Sequence, residues 1–389
     1  MPRRLPVFGG AAVFGTVKEG FMAAEETKTG GRMLSVDVLR GFDMFWITGG
    51  TGFMLGVLRM LGDPVKGWIE PQMKHVDWEG FHFHDLIFPL FVFVVGMSVV
   101  FSLERILATD GRRGAYRRIL RRFVIMYLLG VLYAGGVAPG DVRWMGVLQR
   151  LALCYLFAGL LFCHLGWRGM LGVAVGLLVG YWALLCFVPI PGREAVSFAP
   201  EENWANLLDA WWLPGRKNDG TWDPEGLLST FPAVASALMG VLAALFLKSE
   251  KHSPLRKAVL FMLAGAALVA LGHLWGLQCP VIKKIWTSSY VLVAGGWSLV
   301  LLGLFYLVVD VWQIRWWTAP FMWIGVNPLT IYLLRNFMDF NKFAERFVGG
   351  NIALAVGEDW AYFLQMTVSV AFTFLVVWYL NRRKIYLRI

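Results

Sequence analysis

The sequence predicts an all-helical, polytopic integral membrane protein with about ten transmembrane helices and both termini in the cytoplasm. Three observations carry this. Of 389 residues, 58% are hydrophobic and only 16% charged, with a mean hydropathy of +0.59. A soluble domain runs near ~45–50% apolar and ~25% charged. The apolar residues gather into runs of about 20, the length that crosses ~30 Å of hydrocarbon. The basic residues fall between those runs, unevenly on the two sides. This balance excludes an ordinary cytosolic enzyme, and 15% aromatics exclude a disordered chain. A net charge of +10 does not imply nucleic acid, because the basic residues form no face on a soluble domain. Four Cys are too few for a disulfide scaffold.

The runs lie at 36–61, 85–108, 119–137, 144–164, 169–189, 227–247, 258–276, 287–310, 318–338 and 359–380. With the N-terminus inside, the cytoplasmic segments collect the arginines of 105–122, Lys248, Lys251, Arg256, Lys257 and the tail Arg382, Arg383, Lys384 and Arg388. The opposite side, with Lys66, Lys74, Arg143 and Lys283 among others, holds roughly half as many, the positive-inside asymmetry. Residues 1–32 read as a cytoplasmic leader, with translation from Met22 or Met33 as an alternative. Residues 33–389 read as one transmembrane domain with a periplasmic loop at about 190–226.

Ionisable groups at membrane depth cost several kcal/mol and mark either function or a paired structural site. The first run carries Asp37, Arg40 and Asp43, spaced so that Arg40 can pair with either acid. Asp85 opens the second run, where it can cap free backbone N–H groups. Just before it, MKHVDWEGFHFHDL (73–86) holds His75, His82 and His84. Imidazole moves protons near neutral pH; three interfacial histidines without chemistry are the alternative. A metal would need His82 and His84 on one face with nearby acids, and none is assigned. The arginines of 105–122 are a topology signal or a cradle for the phosphates of a nucleotide-like cofactor. Gln149 and Arg150 sit inside the fourth run, where a charge needs a partner or an anionic ligand. Gly172, Gly176 and Gly180 form a small-residue ladder in the fifth, read with Gly52 and Gly56 as helix-packing faces that allow a homodimer. The long loop holds Trp204, Trp211, Trp212 and Trp222 with Asp209, Asp219, Asp223 and Glu225. Such a set stacks on and hydrogen-bonds sugars, or forms an interfacial aromatic belt.

LSVDVLRGFDMFWI (34–47) and KHVDWEGFHFHDLIFPLFVFVVGMSVVFSL (74–103) resemble the heparan-α-glucosaminide N-acetyltransferase family and its bacterial relatives. GVLQRLALCY (146–155), WDPEGLLSTFPAVASALMG (222–240) and KKIWTSSYVLVAGGWSLVLLGLFYLVVD (283–310) strengthen the resemblance. It implies a transmembrane acetyltransferase of the bacterial inner membrane. Acetyl would pass from cytoplasmic acetyl-CoA to the amino group of a periplasmic glucosamine-type sugar. The family's active-site histidine falls on His75, in a pattern that continues through Trp78, Gly80, Asp85, Leu86, Phe88 and Pro89. Its LQR motif falls on Leu148, Gln149 and Arg150, and its DPEG motif on Asp223–Gly226. Many members carry an Asn late in the first span. Here the chain reads FWITGGTG, so the matching polar group is Thr48 or Thr51, or is missing.

The expected roles follow. CoA is charged and does not cross a bilayer, so its phosphates need a cytoplasmic mouth, with Arg40, Gln149 and Arg150 as its expected residues. His75 acts as general base or as nucleophile, with Asp85 orienting its ring. Trp78, Asp43, Asp223 and Glu225 are the expected acceptor residues. Two other functions fit the same residues: an acyltransferase acting on another envelope acceptor, and a non-enzymatic carrier of a small solute.

Overall fold

The computed structural model describes residues 33–61, 63–138 and 141–387, and Ser35–Ile389 form a compact unit. The expected leader, 1–32, lies outside the described residues. Every regular element among those described is helical. In chain order they are α1 (Leu34–Phe45), α2 (Thr51–Met60), α3 (Asp63–Ile69), α4 (Phe83–Thr109), α5 (Gly111–Tyr133), α6 (Val147–His164), α7 (Trp167–Phe187) and α8 (Trp204–Trp212). Then come α9 (Thr230–Lys248), α10 (Pro254–Gly276), α11 (Ser288–Phe305), α12 (Thr318–Val326), α13 (Pro328–Phe337), α14 (Phe340–Val348), α15 (Asn351–Val356) and α16 (Glu358–Arg382).

Seven are long and apolar enough to cross a membrane: α4, α6, α7, α9, α10, α16, and α11 with the π turn that extends it to Val311. They match seven of the ten predicted runs. The other three are helical, but not single apolar helices. The first is split by a π-helical turn, Trp46–Gly50, where Gly49 takes φ 148, a value that favours glycine. The ninth breaks at Asn327, because Pro328 has no N–H and begins a new helix. The third, α5, begins inside the arginine-rich stretch and becomes continuously apolar only in its second half. That stretch is therefore helical on both sides of a tight turn at Gly111, which has φ 64.

Burial grades the helices, with α6 at 56% between the extremes. The most apolar windows of α4, α9 and α11 are 72% buried, while those of α7, α10 and α16 are 22–28% buried. The inner helix α4 touches α5, α6, α9 and α11. Glycines set the closest crossings. A Cβ at Gly96 of α4 would overlap the Ala237 carbonyl, and one at Gly240 of α9 the Phe93 carbonyl. Gly265 and Gly296 bring α10 and α11 together in the same way, and Gly41 and Gly325 do so for α1 and α12. Gly52 and Gly56 pack on Met366 and Phe363 of α16, as expected. The ladder Gly172, Gly176 and Gly180 does not pack: no described atom lies within 4 Å of a Cβ built at any of them. Its face points away from the bundle, so it packs no described helix of this chain.

Candidate active site at the start of the second apolar helix

His75 lies on the segment between the 3-10 turn Pro71–Met73 and α4. This segment is tied down at several points. The Gly80 N–H donates to the Val281 carbonyl at 2.9 Å, and Glu79 bridges to Ile282. The Trp78 indole donates to the Phe198 carbonyl at 2.9 Å, and the Phe83 N–H donates to Gln72 Oε1 at 2.9 Å. The loop before α4 and the loop before α11 thus hold each other in register.

Asp85 is fully buried in the first turn of α4. Its Oδ2 accepts the N–H groups of His82 at 3.0 Å and Val76 at 3.3 Å. It does cap the helix, as the sequence allows, and also faces the imidazole: His75 Nδ1 is 2.8 Å from Oδ1. The backbone of Asp85 is fixed as well. Pro89 has no N–H, so the Asp85 carbonyl loses its partner one turn on. The Tyr290 hydroxyl replaces that partner, donating at 2.8 Å. The His75 side chain is 53% exposed while Asp85 is 0% exposed. The imidazole therefore stands open to an incoming molecule, against a carboxylate that water does not reach.

Sequence reasoning missed Lys283 as a site residue. It was read only as a topology-setting cation and as part of a resemblance block, and it lies 208 positions from His75. Its Nζ is 2.9 Å from His75 Nδ1, 3.4 Å from Nε2 and 3.2 Å from Asp85 Oδ1. Burial pushes this ammonium below the usual lysine range, against the pull of Asp85. Its loop is pinned by Thr287, which accepts the Ile282 N–H at 3.1 Å and caps α11. The His84 ring lies against His75, tilted by 37° with ring centroids 4.3 Å apart. Thr51 Oγ1 is 3.4 Å from His84 Nδ1, whereas the Thr48 hydroxyl donates back to the Met44 carbonyl. Of Thr48 and Thr51, Thr51 is the one that reaches His84. His82 and His84 are the N-cap and the second residue of α4.

The DPEG segment forms a second, separate network. Arg143 donates to both oxygens of Asp223 at 2.8 Å and to Glu225 at 2.7 Å. Burial alone would raise the Asp223 carboxyl, but the Arg143 fork outweighs it and holds it below the usual range. Asp209 accepts the N–H groups of Leu227 and Asp223 at 2.8 and 3.3 Å. A Cβ at Gly226 would overlap the Asp209 carboxylate, which explains the glycine. Arg150 donates to the Gly226 carbonyl and the Ser229 hydroxyl, and its guanidinium lies over Trp286 at 5.0 Å. Gln149 donates to the Arg143 carbonyl at 3.2 Å.

These contacts place the expected residues as follows. Asp223 and Glu225 are engaged by Arg143 rather than open to a sugar. Arg40 chooses Asp37 over Asp43, at 3.1 Å, and also donates to Ser98 at 3.0 Å. Ser98 is about 20 Å along α4 from Asp85. Arg150 lies in another layer, because its Trp286 packs on Phe88 near the start of α4. Arg40 and Arg150 therefore do not share a phosphate, and Gln149 goes with Arg150. Asp43 is fully buried, with neither oxygen hydrogen-bonded among the described residues. Trp78 is half-buried against the cluster of Tyr181, Leu185 and Ile285 and edge-on to Trp222.

Fold and site together define a polytopic helical membrane protein with a His–Asp–Lys cluster at one end of its innermost helix. Among curated proteins it is similar to heparan-α-glucosaminide N-acetyltransferase of Mus musculus, 25% identical over 387 residues, covering 81% of this chain and 56% of that protein. The Homo sapiens protein of the same name is 27% identical over 369 residues, covering 78% and 52%. The chain is a distant relative of these acetyltransferases and spans about half their length. No family model matches it.

Proposed function

We propose that this protein is a transmembrane acetyltransferase of the bacterial inner membrane. It would move acetyl from cytoplasmic acetyl-CoA to the amino group of a periplasmic glucosamine-type, heparan-like sugar. The observation that carries the reading is the exposed His75 imidazole backed at 2.8 Å by the buried Asp85 carboxylate. A carboxylate on Nδ1 favours the tautomer whose Nε2 lone pair faces outward, the arrangement a base or nucleophile needs. As a base, Nε2 takes a proton from the amine as its nitrogen attacks the thioester carbon. As a nucleophile, Nε2 itself accepts the acetyl group and passes it on.

In this reading all ten runs cross, including the broken first and ninth and the basic third. Both termini are then cytoplasmic. Arg40, beside Asp37 and Ser98, and the arginines of α5 are the residues for the CoA phosphates. An apolar gap of about 20 Å³ lined by Met44, Ile47, Phe88, Leu148 and Tyr332 lies one turn below His84. It has the volume of about one water, so a pantetheine arm passes only if these side chains part.

The test is acetyl transfer from acetyl-CoA to glucosamine by the full chain in detergent. His75→Ala should lose activity by on the order of 100-fold or more while still binding CoA. Full activity in that variant would overturn the reading, and absence of CoA binding by the unmodified protein would favour a carrier.

A further inference from the structure

We propose that Lys283 is a further catalytic residue, its ammonium donating to the thioester carbonyl oxygen as that oxygen takes on negative charge. The inference rests on the reading of His75 above and adds a group to it.

When the amine nitrogen attacks, a C–N bond forms and the carbonyl π pair moves onto oxygen. Collapse then restores the C=O bond and breaks the C–S bond. The thiolate leaves with the electron pair and takes up the proton that His75 Nε2 removed. A base on Nε2 handles only the proton; the oxygen needs a donor of its own. Such donors, fixed in a water-poor site, account for much of the rate gained in acyl transfer.

Lys283 is placed for that task. Its Nζ lies within 3.4 Å of both ring nitrogens, so a carbonyl held at Nε2 comes within its reach. An ammonium has three N–H donors. Asp85 Oδ1 takes one at 3.2 Å, and the His75 ring edge takes at most one more. At least one remains for an incoming oxygen. Among the described residues, it is the one cation within hydrogen-bonding distance of His75. The side chain is only 18% exposed, and its loop is clamped by Gly80 and Thr287. Little reorganisation is left to do when the charge appears. A residue that merely neutralised Asp85 would show the same 3.2 Å contact, so the experiment must separate the two roles.

The full chain is assayed with acetyl-CoA and glucosamine, following thiol release and, separately, CoA binding. Lys283→Met should lower kcat by on the order of 10²–10³, with KM for acetyl-CoA and CoA affinity changed by about threefold or less. Lys283→Arg should recover part of the rate. In an Asp85→Asn background, Lys283→Met should still cost a comparable factor. A loss that disappears in that background would show that Lys283 acts only through Asp85, and would overturn the proposal. So would a kcat for Lys283→Met within about threefold of the unmodified protein. If Lys283→Met fails to fold, Lys283→Gln is read by the same criteria. Full activity in His75→Ala would sink the parent reading; an inactive His75→Ala beside a fully active Lys283→Met would sink only this one.

Discussion

Asp209 sits on the short helix of the long loop, with its two oxygens turned onto the N–H groups of Leu227 and Asp223. Burial lifts its carboxyl to about 6, although those N–H groups and Arg150 work the other way. A carboxyl that holds its proton more tightly when folded favours the fold at low pH. That advantage fades as pH climbs from about 4 through about 6, by roughly 3 kcal/mol. We expect Asp209→Asn to flatten this part of the stability curve, measured as thermal unfolding in detergent from about pH 4 to 7. A variant whose curve parallels the unmodified one would refute the assignment. At this scale the sequence was legible where partners are close in number. His75 and Asp85 are ten positions apart, and the segment joining them marks itself by its histidines. Lys283 and Arg143 were not, because their partners come from loops 80 to 208 positions away. Nothing local distinguishes either from a topology-setting cation.

Helix packing gives a sharper contrast, since the same residue type behaves oppositely on two helices. Gly96 faces the Ala237 carbonyl across the α4–α9 crossing, while Gly176 faces no described atom within 4 Å. Gly96→Val should destabilise by about 1–3 kcal/mol or more, because the inner helices would have to separate. Gly176→Val should change stability by about 0.5 kcal/mol or less. Denaturant titration in a single detergent compares the two, and equal losses would contradict the packing. The regularly spaced glycines of α7 looked like the stronger packing signal. Spacing reports which residues share a face, not which face meets a neighbour. The breaks inside the first and ninth runs have a related origin. Gly49 and Pro328 are plain in the sequence, yet glycine and proline are frequent in membrane helices that continue unbroken.

Across the whole molecule, α7 packs on α9 and α11, α10 packs on α11, and α16 packs on α2, α12 and α14, and the apolar windows of α7, α10 and α16 stay mostly open. In a bilayer that outer surface meets lipid, and the charged ends fix orientation. With ten crossings, His75 and Lys283 face the periplasm and the arginines of α5 face the cytoplasm. In a cysteine-free background, an impermeant thiol reagent on intact cells should label Asp77→Cys and not Arg113→Cys. The reverse pattern, or equal labelling, would overturn the ten-span arrangement.

Composition and run length alone determined that this is a helical membrane protein, because the cost of exposing so much apolar surface to water does not depend on how the helices are arranged. The family resemblance singled out His75 and Asp85 within one short segment, and their closeness in number let them be read together. Which distant cation joins them, which acids are already occupied, and which glycines touch anything were decided only when the helices packed. Those contacts join loops far apart in number, and their energies depend on distances that no short stretch of sequence contains.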